Sequence, residues 1–158
     1  MQVTTGNVKE TIRLGKLLAG VIEDNTCIYL IGEMASGKTQ FTRGIAEGLG
    51  LESQVCSPTF AIINRYENER GCLYHMDAYR IESEEELDYI GFNEIYGSER
   101  LVIEWADIIW DSLKDTGIVV KIKTCESDFD RRLIEIKAYD DSMHILRKLE
   151  EKYENSCN

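Results

Sequence analysis

The stretch Gly32-Glu33-Met34-Ala35-Ser36-Gly37-Lys38-Thr39 has the spacing of a phosphate-binding loop, and it limits what the surrounding chain can form. Before it runs Cys27-Ile28-Tyr29-Leu30-Ile31, a short apolar, β-rich segment that predicts a buried strand. After it, Phe41, Ile45 and Leu49 recur at helical spacing. Strand, glycine-flanked loop and helix together make a Walker A signature. In that arrangement the backbone N–H groups of Gly32, Met34, Ala35, Ser36, Gly37, Lys38 and Thr39, with the helix N-terminus, surround anionic phosphates. Lys38 then reaches the terminal phosphates and the Thr39 hydroxyl ligates Mg²⁺. The pattern implies nucleoside-triphosphate binding.

The rest of the chain predicts an α/β fold around that loop. Asn7 and Glu10 form a capping-box pattern, and Val8, Ile12, Leu18, Val21 and Ile22 share a helical face that ends near Glu23-Asp24-Asn25. Ala61 to Glu67 and Cys72 to Tyr79 read as two strands about the turn 68–71. Ser83 followed by three glutamates opens a helix with acids at its positive dipole end. Leu101 to Trp105 predicts another buried strand. Ile118-Val120-Ile122 and Ile134-Ile136-Ala138 alternate as a second hairpin, and from Ser142 the pattern is a terminal helix whose last residues fray. The expectation is a P-loop NTPase-like three-layer α/β sandwich with a mixed central sheet of about seven strands. The whole chain, 1–158, reads as one domain.

Composition narrows the function. With 43% apolar residues the chain has enough material for one core. No apolar run reaches the roughly 18 residues a membrane helix needs, so a cytoplasmic protein is expected. The five cysteines show no C-x-x-C spacing and read as reduced, and the two histidines lie too far apart in sequence to suggest a metal cluster. Twenty-nine acidic against 18 basic residues leave a net charge of −11, which opposes unaided binding to a nucleic-acid backbone.

A phosphate-binding loop needs a carboxylate near the metal before it can hydrolyse or transfer anything. Two compete. Glu104 ends the strand Leu101-Val102-Ile103, in the position of a Walker B acid, and Asp77 ends the strand that contains His75-Met76. Strand carboxyl ends converge on the ligand in such sheets, so both are candidates. Ser57-Pro58-Thr59-Phe60 carries the sole proline and forms a stiffened turn, either a loop entering a strand or one whose Thr59 senses a γ-phosphate. Trp105 either covers the site or packs in the core. No N-K-x-D guanine signature is present, which favours adenine.

Together these motifs resemble the bacterial TsaE family, also called YjeE, small P-loop ATPases required for threonylcarbamoyl-adenosine in tRNA. The resemblance rests on Glu10-Thr11 with Leu14-Gly15, the loop Gly32 to Thr39, Thr42-Arg43-Gly44 and Gly48-Leu49-Gly50. It continues through Ser57-Pro58-Thr59-Phe60, His75 to Arg80, Glu86-Leu87 with Ile90-Gly91, and Ile103-Glu104-Trp105. It implies ATP and Mg²⁺ as cofactors, with Thr39 and Glu104 on the metal and Lys38 and Asp77 in the catalytic shell. It further implies that Thr59 sits in a switch-like loop, Trp105 adjoins the nucleotide, and Arg132, just before the strand containing Ile134, contacts it. The implied partners are TsaD- and TsaB-like proteins, with tRNA reached only through them and hydrolysis resetting the assembly. Ala35 stands where the family carries glycine, so a positive φ there would strain the loop.

Two other readings share the P-loop. One is a small-molecule kinase, though the arginines here are dispersed rather than gathered in a lid. The other is a nucleotide-gated binding module without useful turnover. Phosphate release with and without a TsaD–TsaB-like complex separates the three.

Overall fold

The computed structural model describes residues 1–51, 55–58, 60–69, 71–113, 115–126 and 128–157. Among the described residues seven strands form one mixed sheet in the order β1-β7-β6-β2-β5-β4-β3. Its centre is parallel: β2 (Cys27–Ile31) lies between β5 (Leu101–Glu104) and β6 (Ile118–Cys125), and β4 (Gly71–Asp77) continues the parallel run beyond β5. Antiparallel hairpin partners close both sides, β3 (Ile63–Asn68) on β4 and β7 (Asp128–Ala138) on β6. β1 (Gln2–Thr5) adds antiparallel to β7 at the edge.

Helices cover both faces. On one face α1 (Val8–Ala19), α2 (Lys38–Gly48) and α5 (Met143–Cys157) bury Leu14, Leu18, Phe41, Ile45 and Leu149 against Ile28, Leu30, Val120 and Ile134. On the other, α3 (Glu84–Tyr89), α4 (Phe92–Ile95) and a 3₁₀ segment over Ala106–Ser112 bury Leu87, Phe92 and Ile109 against Tyr29, Met76 and Ile103. The near-continuous apolar character of β2 and β5 follows, because a parallel strand covered on both faces has no wet side. Among the described residues no helix is long and apolar enough to cross a membrane.

Local rules account for most boundaries. Asn7 caps α1 by accepting the Glu10 N–H, and Glu10 returns a bond to the Gly6 N–H. α1 stops at Ala19, short of the expected end near 23–25. The Val21 and Ile22 N–H groups both turn back to Leu18 O, and their side chains still pack on the core from that turn. Helical periodicity therefore outlasts the helix. β4 leaves the sheet at Asp77 rather than Tyr79, because the Asp77 carboxylate caps a 3₁₀ turn over Ala78–Arg80 by accepting the Tyr79 N–H. β7 runs eleven residues, so Arg132 lies inside it, opposite Thr5 and Thr124, rather than ahead of it. α5 remains helical through Cys157.

α1 and α2 meet at backbone contact. A Cβ on Gly44 would sit 2.1 Å from Ile12 O, and one on Gly15 would sit 2.4 Å from Phe41 O. Helix propensity alone would favour alanine over glycine by about 1 kcal/mol. Here neither backbone oxygen can move without separating the two helices. Gly44→Ala is expected to lower unfolding free energy by about 1–3 kcal/mol, the usual cost of overpacking. A urea titration at unchanged m checks this; a stabilised variant would mean that the helices slide apart freely.

Candidate active site

β2 ends at Ile31 and α2 begins at Lys38, so the loop between them lies at the carboxyl end of a central parallel strand. Gly32 leaves β2 where no side chain fits: a Cβ there would meet Ile122 O at 2.3 Å. Ala35 has φ 61, so the position does demand the left-handed region that glycine occupies without strain. Ser36 N–H donates to Glu33 O at 3.2 Å, and Gly37, at φ 111, leads into Lys38 as the first residue of α2. The first N–H groups of α2 have no partner within the helix, and they open toward this loop. Met34 stands exposed at the rim.

The Lys38 side chain is buried under this loop. Its Nζ donates to Gly32 O at 2.6 Å and Glu33 O at 2.9 Å, and lies 3.8 Å from the centre of the Trp105 ring. Burial pushes its ammonium below the usual lysine range, while the charges of Glu104, Asp77 and Asp107 pull the other way. Trp105 itself leaves β5 at φ 58, which turns its ring over Lys38 and against Tyr79, 5.0 Å between centres.

The two acids are direct register partners, Asp77 on β4 and Glu104 on β5, at the carboxyl ends of adjacent parallel strands. Both are buried. Glu104 accepts from the Thr39 hydroxyl at Oε2, 3.1 Å, and faces His75 Nε2 at Oε1, 2.8 Å. Asp77 accepts from the Ser57 hydroxyl at 2.8 Å and from the Tyr79 N–H at 3.0 Å. Glu104 thus shares an atom pair with α2, whereas Asp77 is tied to the chain around Ser57. Arg132 Nε donates to Ser36 O at 2.7 Å, and a second guanidinium nitrogen reaches Ala35 O, so β7 braces the loop.

These groups line one cleft of about 480 Å³, with Val8 and Thr11 of α1 on its far wall. Gly32 adjoins the cleft through its contact with Lys38. Met34, Ala35, Ser36, Gly37, Lys38, Thr39, Asp77, Glu104, Trp105 and Arg132 are all in its lining. Thr59 lies outside the described residues. Backbone strain concentrates here as well: besides Ala35 and Trp105, Ile62 holds φ 65, and its carbonyl accepts the Asp77 N–H at 2.9 Å. Left-handed non-glycine residues cost on the order of 1–3 kcal/mol and gather at functional sites.

Three contacts escaped the sequence reading. Ser57 to Asp77 and His75 to Glu104 join elements far apart in the chain, and Tyr79 beside Trp105 depends on the turn after β4. For His75 one signal was available: two residues before Asp77 on a strand, it must share that acid's face.

The chain matches the family model for "Threonylcarbamoyl adenosine biosynthesis protein TsaE" over residues 5–134. The tRNA threonylcarbamoyladenosine biosynthesis protein TsaE of Bacillus subtilis is 36% identical over 155 residues, covering 98% of this chain and 96% of that protein. Its namesake in Treponema pallidum is 34% identical over 124 residues, 78% of this chain and 91% of that one. The crystal structure of Bacillus subtilis YdiB superposes with a TM-score of 0.79 at 31% identity, over 96% of this chain and 94% of its own. The mixed seven-stranded sheet, the loop between β2 and α2 and these matches together place the chain in the TsaE family of tRNA threonylcarbamoyladenosine biosynthesis.

Proposed function

We propose that this chain is the Mg²⁺-dependent ATP hydrolase of tRNA threonylcarbamoylation, acting on the adenosine next to the anticodon through TsaD- and TsaB-like partners. The observation that carries this reading is the convergence of Lys38, Thr39, Asp77 and Glu104 on one cleft at the carboxyl ends of β2, β4 and β5.

The donor set fits a phosphate group with a hard cation. The Ser36 hydroxyl is buried without a hydrogen-bond partner among the described residues, and the α2 N-terminus offers backbone donors beside it. Oxygen ligands are what Mg²⁺ takes, and the Thr39 hydroxyl and Glu104 carboxylate already face one another. When bound, Mg²⁺ supplies charge neutralisation on the phosphate oxygens, with Thr39 and Glu104 as its protein ligands. Lys38 contributes a fixed positive charge within a water-poor wall, where it counts for more than in solvent. Asp77 orients the attacking water and takes its proton on a carboxylate oxygen. The Ser57 hydroxyl, which donates to that carboxylate, couples it to the Ser57-Pro58 segment. Trp105 covers the site from above, and Arg132 holds the loop.

The overall charge opposes direct RNA binding. At net −11 the chain repels a phosphate backbone, so tRNA is reached through the partners. Nucleotide state would then control assembly with the partners, and hydrolysis would control release. The experiment is phosphate release by the chain alone and with a TsaD–TsaB-like complex, alongside complex formation with a non-hydrolysable ATP analogue, with ADP and without nucleotide. Slow release alone, faster release with partners and assembly only with the analogue are expected. Equal association in all three states would remove the switch, and tight tRNA binding by the isolated chain would overturn the charge argument.

A further inference from the structure

Glu104 is gripped from two sides. Its Oε2 accepts from Thr39 on α2, and its Oε1 lies 2.8 Å from His75 Nε2 on β4. His75 is fully buried, with the Tyr66 ring against it at 6.2 Å between centres. Its Nδ1 is buried too and has no hydrogen-bond partner among the described residues. A bare ring nitrogen and a carboxylate oxygen would repel at 2.8 Å, so the proton sits on Nε2 and the ring donates. Burying an imidazole with one nitrogen unused costs the desolvation of that nitrogen. Packing gives no reason to accept that cost, since the neighbouring strand positions Leu73 and Met76 are apolar and fully buried. What the imidazole provides is the bond to Glu104.

A glutamate has three side-chain torsions, and a carboxylate held at one oxygen alone still swings. The His75 bond removes that freedom and directs the other oxygen to Thr39. We propose that His75 is the positioning residue that holds the Glu104 carboxylate in place to ligate Mg²⁺ together with Thr39. This rests on the reading of Thr39 and Glu104 as the metal pair. Partners that orient a metal-ligating group from behind are worth about 10–100-fold in metal affinity when removed.

Binding of a non-hydrolysable ATP analogue to the full chain, followed by calorimetry across a Mg²⁺ titration and in EDTA, tests this. His75→Leu is expected to need about 10–100-fold more Mg²⁺ for half-maximal enhancement of binding, with affinity in EDTA unchanged. His75→Gln, which can place an N–H near the Nε2 position, is expected to restore the wild-type midpoint. If leucine unfolds the chain, His75→Asn takes its place, being polar but too short to reach Glu104. A midpoint unmoved in the leucine or asparagine variant overturns the proposal, as does a glutamine variant no better than they are. Wild-type binding that ignores Mg²⁺ overturns instead the metal pair on which it rests.

Discussion

Lys38→Ala is expected to lose the proposed ATP hydrolysis by at least about 100-fold while keeping its circular dichroism spectrum, the scale that follows when one preorganised donor is removed from a transition state. The ammonium is buried beneath the loop, held on Gly32 O and Glu33 O and faced by the Trp105 ring. Alanine deletes the charge and nothing that builds the sheet. Folding should tolerate the change, because burial already disfavours the charged lysine. The sign can be checked against pH. A folded-state pKa below the unfolded value means that the unfolded chain holds more protons between the two, so wild-type stability rises with pH across that window. Lys38→Ala lacks this rise. The denaturant midpoint of wild type, measured from neutral pH toward the ordinary lysine value, should therefore rise relative to that of Lys38→Ala. Hydrolysis persisting at the wild-type rate would remove the loop from the mechanism.

Asp77→Asn is expected to slow the proposed hydrolysis by about 10²–10⁴-fold, the usual worth of a general base, and to leave nucleotide affinity near wild type. Asparagine keeps the shape, and its amide oxygen can still accept from Ser57 or Tyr79. What it loses is a carboxylate able to take a proton. Glu104→Gln fails differently. Its amide replaces one oxygen with a donor, which must then face either the Thr39 hydroxyl or His75 Nε2. The expected result is a Mg²⁺ requirement raised by at least about tenfold, since metal sites depend on ligand orientation. Single-turnover phosphate release and a Mg²⁺ titration on both variants separate the roles. A titration that moves for Asp77→Asn alone would mean the assignments are reversed.

Much of this architecture could be read along the chain. The strand, loop and helix around Gly32–Thr39 and the capping box at Asn7 depend on residues within one or two turns of each other. So do the hairpin of β6 and β7 and the acids at the ends of β4 and β5. Side-chain periodicity and turn chemistry report such short-range order directly. The three-layer sandwich with a mixed sheet follows from those elements, since a parallel centre needs helices on both faces and hairpins supply the antiparallel flanks.

Longer-range features were not legible. β1 is four residues that exist as a strand because β7 extends far enough to pair with them. The end of α1 could not be placed, because Val21 and Ile22 bury themselves from a turn as well as they would from a helix. In the site, residue types were visible and their partners were not. Glu104 touching both Thr39 and His75, Ser57 reaching Asp77, and Trp105 turned over Lys38 all join segments from 20 to 67 residues apart. Such contacts depend on strand register and on the left-handed turn at Trp105, and only the packed sheet holds those in place. Composition and spacing name the chemistry because each reports what a residue can do. Which atom faces which is set by packing between distant segments, whose energies no local pattern encodes.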